Sequence, residues 1–232
     1  MTDSIDLLDV AYMDKGERFH SLITSNYRDG LPGVLILPAW MGIDREAITA
    51  AHRLQSQGYV AMIADIYGLK QKPKSTKEAA VVSKAFKEDY KLYQNRIFLA
   101  LQEFGKWRGV WSQTVVMGYC FGGTGALEAV RGNLEIQAAV CIHGDLYKSP
   151  LRDTKVSNYR VLIEHAAKDQ TVSLKDVENL MVEMEESRAD WQLITYGGAK
   201  HAFTNPWSQD YHKMMADRAW EHTLQFLDEV LK

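Results

Sequence analysis

Three short stretches hold side chains suited to acyl-transfer chemistry. In Gly118-Tyr119-Cys120-Phe121-Gly122-Gly123 a thiol sits between glycines, where a strand pattern ends and a helical pattern begins. A nucleophile on that sharp turn takes a strained backbone conformation. The glycines are needed because a Cβ would collide with the neighbouring strand or helix. The turn exposes the side chain above the sheet edge, and the helix aims its amide N–H groups and positive dipole end at it, which favours thiolate. In Val161-Leu162-Ile163-Glu164-His165-Ala166-Ala167-Lys168-Asp169 an acid follows a buried strand. In Gly197-Gly198-Ala199-Lys200-His201-Ala202-Phe203 an imidazole follows another. Taken singly these residues have plainer readings. A free Cys is usually a small buried hydrophobe, a loop Asp a turn former and a loop His a solvated side chain. Cys141, inside the apolar run Ala138–Ile142, keeps the plain reading.

Together, and in this chain order, Cys120, Asp169 and His201 define a mechanism. His201 accepts the Cys120 proton or holds the thiolate as an ion pair, and Asp169 orients the imidazole. The thiolate attacks an acyl carbon to give a thioester, which water cleaves with His201 as base. The oxyanion needs two backbone donors. One is the N–H of Phe121, and the other comes from the loop Ala39-Trp40-Met41-Gly42.

The elements that must position these groups follow from periodicity. Leu8–Met13 and Arg18–Thr24 read as an antiparallel pair around Asp14-Lys15-Gly16. Gly33–Pro38, Tyr59–Ala64, Thr114–Gly118, Gln137–Ile142, Arg160–His165 and Trp191–Tyr196 read as strands. Helices are expected over Ile43–Gln57, Gly123–Arg131, Ser173–Ala189 and Ser208–Leu231, and over most of 75–108 with a bend before its final stretch. The last helix carries an apolar stripe of Trp220, Leu224, Leu227 and Leu231. Such alternation implies one α/β domain over 1–232, a mostly parallel sheet with helices on both faces and an N-terminal antiparallel strand pair. Sheets of this kind bind ligands at the carboxyl ends of their strands.

Composition narrows the function classes. Of the 232 residues, 46% are hydrophobic and 25% charged, and the formal charge is −3. A near-neutral chain has no electrostatic footprint for nucleic acid or an anionic membrane. Two cysteines make no disulfide framework, the opening residues do not read as a signal peptide, and no apolar run reaches membrane-helix length. A cytoplasmic address is expected. Gly123-Thr124-Gly125-Ala126-Leu127-Glu128 lacks the third glycine of a dinucleotide fingerprint, and the seven histidines show no paired metal spacing. No metal or organic cofactor is expected. Lys70–Lys77 reads as a solvated basic loop or the hinge of a cap.

The chain resembles the dienelactone hydrolase family of the α/β-hydrolase superfamily. The likeness runs from about Gly33 to the C-terminus and rests on four blocks: Pro38–Gly42, Ala64-Asp65-Ile66-Tyr67-Gly68, Gly118–Gly123 and Gly198–Pro206. The resemblance implies an α/β-hydrolase fold, a Cys120–Asp169–His201 triad, and an oxyanion hole from the N–H groups of Trp40 and Phe121. Met41, Tyr119, His143 and Phe203 are expected to line the pocket. The chain departs from the family pattern in two ways. Where dienelactone-cleaving members carry an activating Glu, this chain has Ala39. Their carboxylate-binding arginines are also missing, since no Arg occurs between Leu54 and Asn95 and the first after His201 is Arg218. The expected substrate is therefore a small, less anionic ester or lactone rather than dienelactone itself. The competing reading is a non-catalytic member that binds a small ligand or senses oxidants through Cys120. Oligomeric state is not legible.

Overall fold

The computed structural model describes residues 7–28, 30–154 and 159–232. Residues 1–6, which begin the stretch read as lacking a signal peptide, lie outside them. Among the described residues eight strands form one sheet: β1 (Leu7–Asp14), β2 (Glu17–Thr24), β3 (Gly33–Leu37), β4 (Val60–Ile63), β5 (Thr114–Tyr119), β6 (Ala138–Ile142), β7 (Arg160–Ala166) and β8 (Asp190–Tyr196). Their order is β1-β2-β4-β3-β5-β6-β7-β8. The β1–β2 and β2–β4 pairs are antiparallel, and every later pair is parallel. The antiparallel leader and the α/β-hydrolase architecture are those expected from the sequence.

Among the described residues six helices cover the sheet: α1 (Arg45–Ser56), α2 (Thr76–Glu88), α3 (Tyr90–Arg108), α4 (Phe121–Arg131), α5 (Leu174–Ser187) and α6 (Lys213–Leu231). Strands β3, β5 and β6 are buried along their whole length, as strands packed on both faces must be. Their alternate residues feed two cores. Val34, Ile36, Val115 and Met117 meet Leu54 of α1 and Trp220 and Leu227 of α6. Leu35, Leu37 and Val116 meet Ile97, Phe104 and Leu127 on the other face.

Several helix limits differ from the periodicity by a residue or more, and three positions have a local reason. The bend expected within 75–108 falls at Asp89. Its carboxylate accepts the Leu92 N–H at 3.0 Å and starts a new helix. Helix α4 begins at Phe121, directly after the nucleophile turn, rather than at Gly123. Helix α6 begins at Lys213 rather than Ser208. Asn205 and Ser208 accept backbone N–H bonds from Trp207 and Asp210 and hold the segment in turns.

At the C-terminal end of α4, Arg131 lies buried between Glu128 and Glu183. It donates to Glu183 at 2.9 Å through two nitrogens and to Glu128 at 3.1 Å. Arg152 grips Glu128 with two further bonds of 2.8 Å.

Candidate active site

The Cys120 backbone sits at φ 53° and ψ −115°, a region costly for a residue with a Cβ. Close backbone approach on either side enforces that turn. A Cβ on Gly118 would lie 2.0 Å from the Gly122 carbonyl oxygen, and one on Gly122 would lie 2.0 Å from that of Leu37. Only glycine fits at these two positions, so the sequence spacing is a steric requirement.

The turn brings three loops together. The loop after β7 brings Asp169 and the loop after β8 brings His201. The two are tied by the Ala167 N–H to the Tyr196 carbonyl and the Lys168 N–H to that of Ala199, at 3.1 and 2.8 Å. His201 Nε2 lies 3.1 Å from Cys120 Sγ. Its Nδ1–H donates to Asp169 Oδ2 at 2.7 Å. The other carboxylate oxygen of Asp169 accepts the Thr171 N–H at 2.8 Å and its hydroxyl at 2.7 Å. Burial alone would pull the His201 imidazole down, but the bonds to Asp169 and Cys120 outweigh it and raise its pKa to about 10. Burial likewise opposes ionisation of Asp169, and the His201 bond reverses this, lowering its pKa to about 2. The arrangement favours imidazolium beside the Asp169 carboxylate.

Helix α4 starts at Phe121, directly after Cys120, so its first N–H groups lie at the nucleophile turn. Among the described residues, neither the Phe121 nor the Trp40 N–H donates to another protein group. Both peptide segments are pinned by tyrosines. Tyr93 donates to the Phe121 carbonyl at 2.8 Å, and Tyr67 donates to that of Trp40 at 2.9 Å. The Phe121 ring stacks on Tyr93 with centroids 4.5 Å apart.

Above the sulfur opens a cavity of about 550 Å³ lined by Ala39, Trp40, Met41, Glu46, Cys120, Phe121, His143 and His201, among others. That size suits a small-molecule ligand. Two expected wall residues lie elsewhere. Tyr119 points under the sheet edge into a separate cavity of about 70 Å³, because strand alternation turns it away from the side Cys120 faces. Phe203 is fully buried, packed on Tyr196 and His143 with centroids 5.1 and 5.7 Å away. It supports the wall from behind.

The sequence reading missed several contributors. Glu46 is buried yet lines the cavity. Its signal was a carboxylate in helical register with Ala50 and Leu54, on the apolar face of α1. Burial raises its pKa to about 7 against the bond from Thr204. Lys87 of α2 also reaches the cavity, paired with Asp145 at 3.2 Å. Among the described residues no group of three or more His, Cys, Asp or Glu could hold a metal ion, and no helix is long and apolar enough to cross a membrane.

The chain is 28% identical over 208 residues to a Bradyrhizobium protein named "Probable 2-oxo-3-(5-oxofuran-2-ylidene)propanoate lactonase", covering 85% of this chain and 83% of that one. Its fold matches a dienelactone hydrolase-like promiscuous phosphotriesterase from metagenomic libraries with a TM-score of 0.91 and 25% identity, over 98% of this chain and 99% of that one. Esterase 2 of Thermogutta terrifontis shares the fold at 16% identity, with a TM-score of 0.74 over 97% and 94% of the two chains. The model of the dienelactone hydrolase family matches residues 20–231. With the turn, the strand-end loops and this match in hand, the chain belongs to the dienelactone hydrolase family.

Proposed function

We propose that this dienelactone hydrolase-like hydrolase cleaves a small ester or lactone through a Cys120–His201–Asp169 triad and a thioester intermediate, within a single α/β domain. The observation that carries the reading is the unbroken contact from sulfur to imidazole to carboxylate beneath an open cavity. The thiolate adds to the substrate carbonyl, and the oxyanion takes the Phe121 and Trp40 N–H groups. The carbon–oxygen bond then breaks, and the leaving alkoxide takes the Nε2 proton of His201. Acylation removes the charge and hydrogen bond by which the sulfur raises the imidazole pKa. His201 is thereby freed to act as a base. It takes a proton from water, the hydroxide adds to the thioester, and the thiolate departs with the carboxylic acid released.

The cavity walls bear on the substrate. Ala39 supplies no carboxylate, and the cation nearest to hand, Lys87, is already paired with Asp145. Without a guanidinium fork the site suits a less anionic acyl group than dienelactone. The test is a panel of small esters, lactones and thioesters with wild type and C120A, alongside iodoacetamide labelling of Cys120 against pH. Turnover that vanishes in C120A supports the triad, and turnover retained in C120A removes it. Ligand-induced stabilisation without any turnover would favour the binding or redox-sensing reading instead.

A further inference from the structure

A second chain of hydrogen bonds starts at the nucleophile turn and ends at Glu46, and its members His143 and Glu46 also line the cavity. The Cys120 N–H, which also reaches the Ile142 carbonyl at 3.0 Å, donates to His143 Nδ1 at 3.2 Å. His143 Nε2 lies 2.7 Å from Thr204 Oγ1. The Thr204 hydroxyl donates to Glu46 Oε1 at 2.7 Å. His143 is 1% exposed and itself strained, at φ 38°.

We propose that Glu46 is a positioning residue for the nucleophile turn, acting through Thr204 and His143. The inference rests on the hydrolase reading for its catalytic consequence only.

The argument is one of direction. A backbone N–H can only donate, so His143 Nδ1 must accept. Burial and the nearby His201 charge lower the His143 pKa to about 3, so the ring is neutral and carries its single proton on Nε2. Nε2–H therefore donates to Thr204, whose own proton must go to Glu46 Oε1. Each link has one allowed orientation, and only an acceptor at position 46 fixes the sequence. Without it the Thr204 hydroxyl is free to donate to His143. That would place the ring proton on Nδ1, against the Cys120 N–H. Two donors facing each other would push the turn away, displacing both the sulfur and the Phe121 N–H that follows it. This gives a role to a carboxylate on the apolar face of α1, where packing alone calls for Ala or Leu.

The experiment reads the tautomer by ¹H–¹⁵N imidazole spectra of His143 and, separately, the alkylation rate of Cys120. It uses the full chain as wild type, E46L, T204V and T204S. Wild type is expected to show an Nε2–H ring with a slowly exchanging proton. E46L and T204V should lose that slow exchange and alkylate Cys120 about tenfold more slowly, and kcat on any ester found should fall with KM held. T204S, which keeps the hydroxyl, should restore all three. The double variant E46L/T204V should be no slower than T204V, because both cut one chain. An Nδ1–H ring in wild type, or unchanged exchange and alkylation in E46L, overturns the proposal. If the tautomer and alkylation behave as expected but no ester is cleaved, the hydrolase reading fails and this one stands.

Discussion

Helix α4 has buried polar chemistry at both ends, of opposite kinds. At its C-terminal end every charge meets its opposite. Burial disfavours ionised Glu128, but the bonds from Arg152 and the Arg131 charge overcome this and lower its pKa below the usual carboxylate range. Glu183 and Glu128 in turn hold Arg131 charged against burial. At the N-terminal end the groups behind the turn resist charge: His143 is held neutral by burial, and Glu46 titrates near 7. Paired charges hold the C-terminal corner together, while the buried groups behind the turn are ordered by hydrogen bonds instead.

The largest expected effect separates the two ends. C120A should lower turnover by at least about 10³-fold while changing the chemical denaturation midpoint little, since Ala removes the Sγ contact to His201 but leaves the imidazole bonded to Asp169. A comparable loss of stability would mean that the N-terminal end is structural too. R131M inverts this. It takes both guanidinium bonds from buried Glu183 and one from Glu128 and should cost about 3–5 kcal/mol in urea unfolding, with kcat of the folded fraction retained. If R131M unfolds at the wild-type midpoint, the corner contributes nothing and the contrast collapses.

E46Q sharpens the comparison through pH. The Glu46 carboxyl titrates at about 7 instead of 4.5, a difference worth about 3 kcal/mol. The unfolded chain loses this proton first, so wild-type stability falls as pH rises from 4.5 to about 7. The stability of E46Q relative to wild type should therefore be greater at pH 8 than at pH 5, as melting curves at the two values would show. An equal offset at both would place Glu46 in water. The smallest effect is spectroscopic. In C120A the His201 ring should titrate below its wild-type value of about 10, because the sulfur's hydrogen bond and charge both raise it. An unmoved titration in the proton spectrum would assign the whole effect to Asp169.

Much of the fold was legible because it rests on local rules. Strand β3 and the apolar stripe of α6 announce themselves by pattern. The glycines around Cys120 mark the turn because nothing larger fits there. Tyr119 and Phe203 were misjudged because proximity in sequence says nothing about which side of a strand or loop a ring faces. Glu46 and Thr204 were missed because 158 residues separate the partners of their hydrogen bond, and no local pattern encodes such a contact.

The order of elements, the turn at residue 120 and the candidate sulfur, carboxylate and imidazole could be read from the chain alone, since backbone sterics and hydrophobic periodicity act over a few residues. Which atoms touch, which way His143 carries its proton and why a carboxylate is buried in α1 were decided only by packing. Burial and long-range hydrogen bonds set those properties, and they exist only once distant segments share one low-dielectric space.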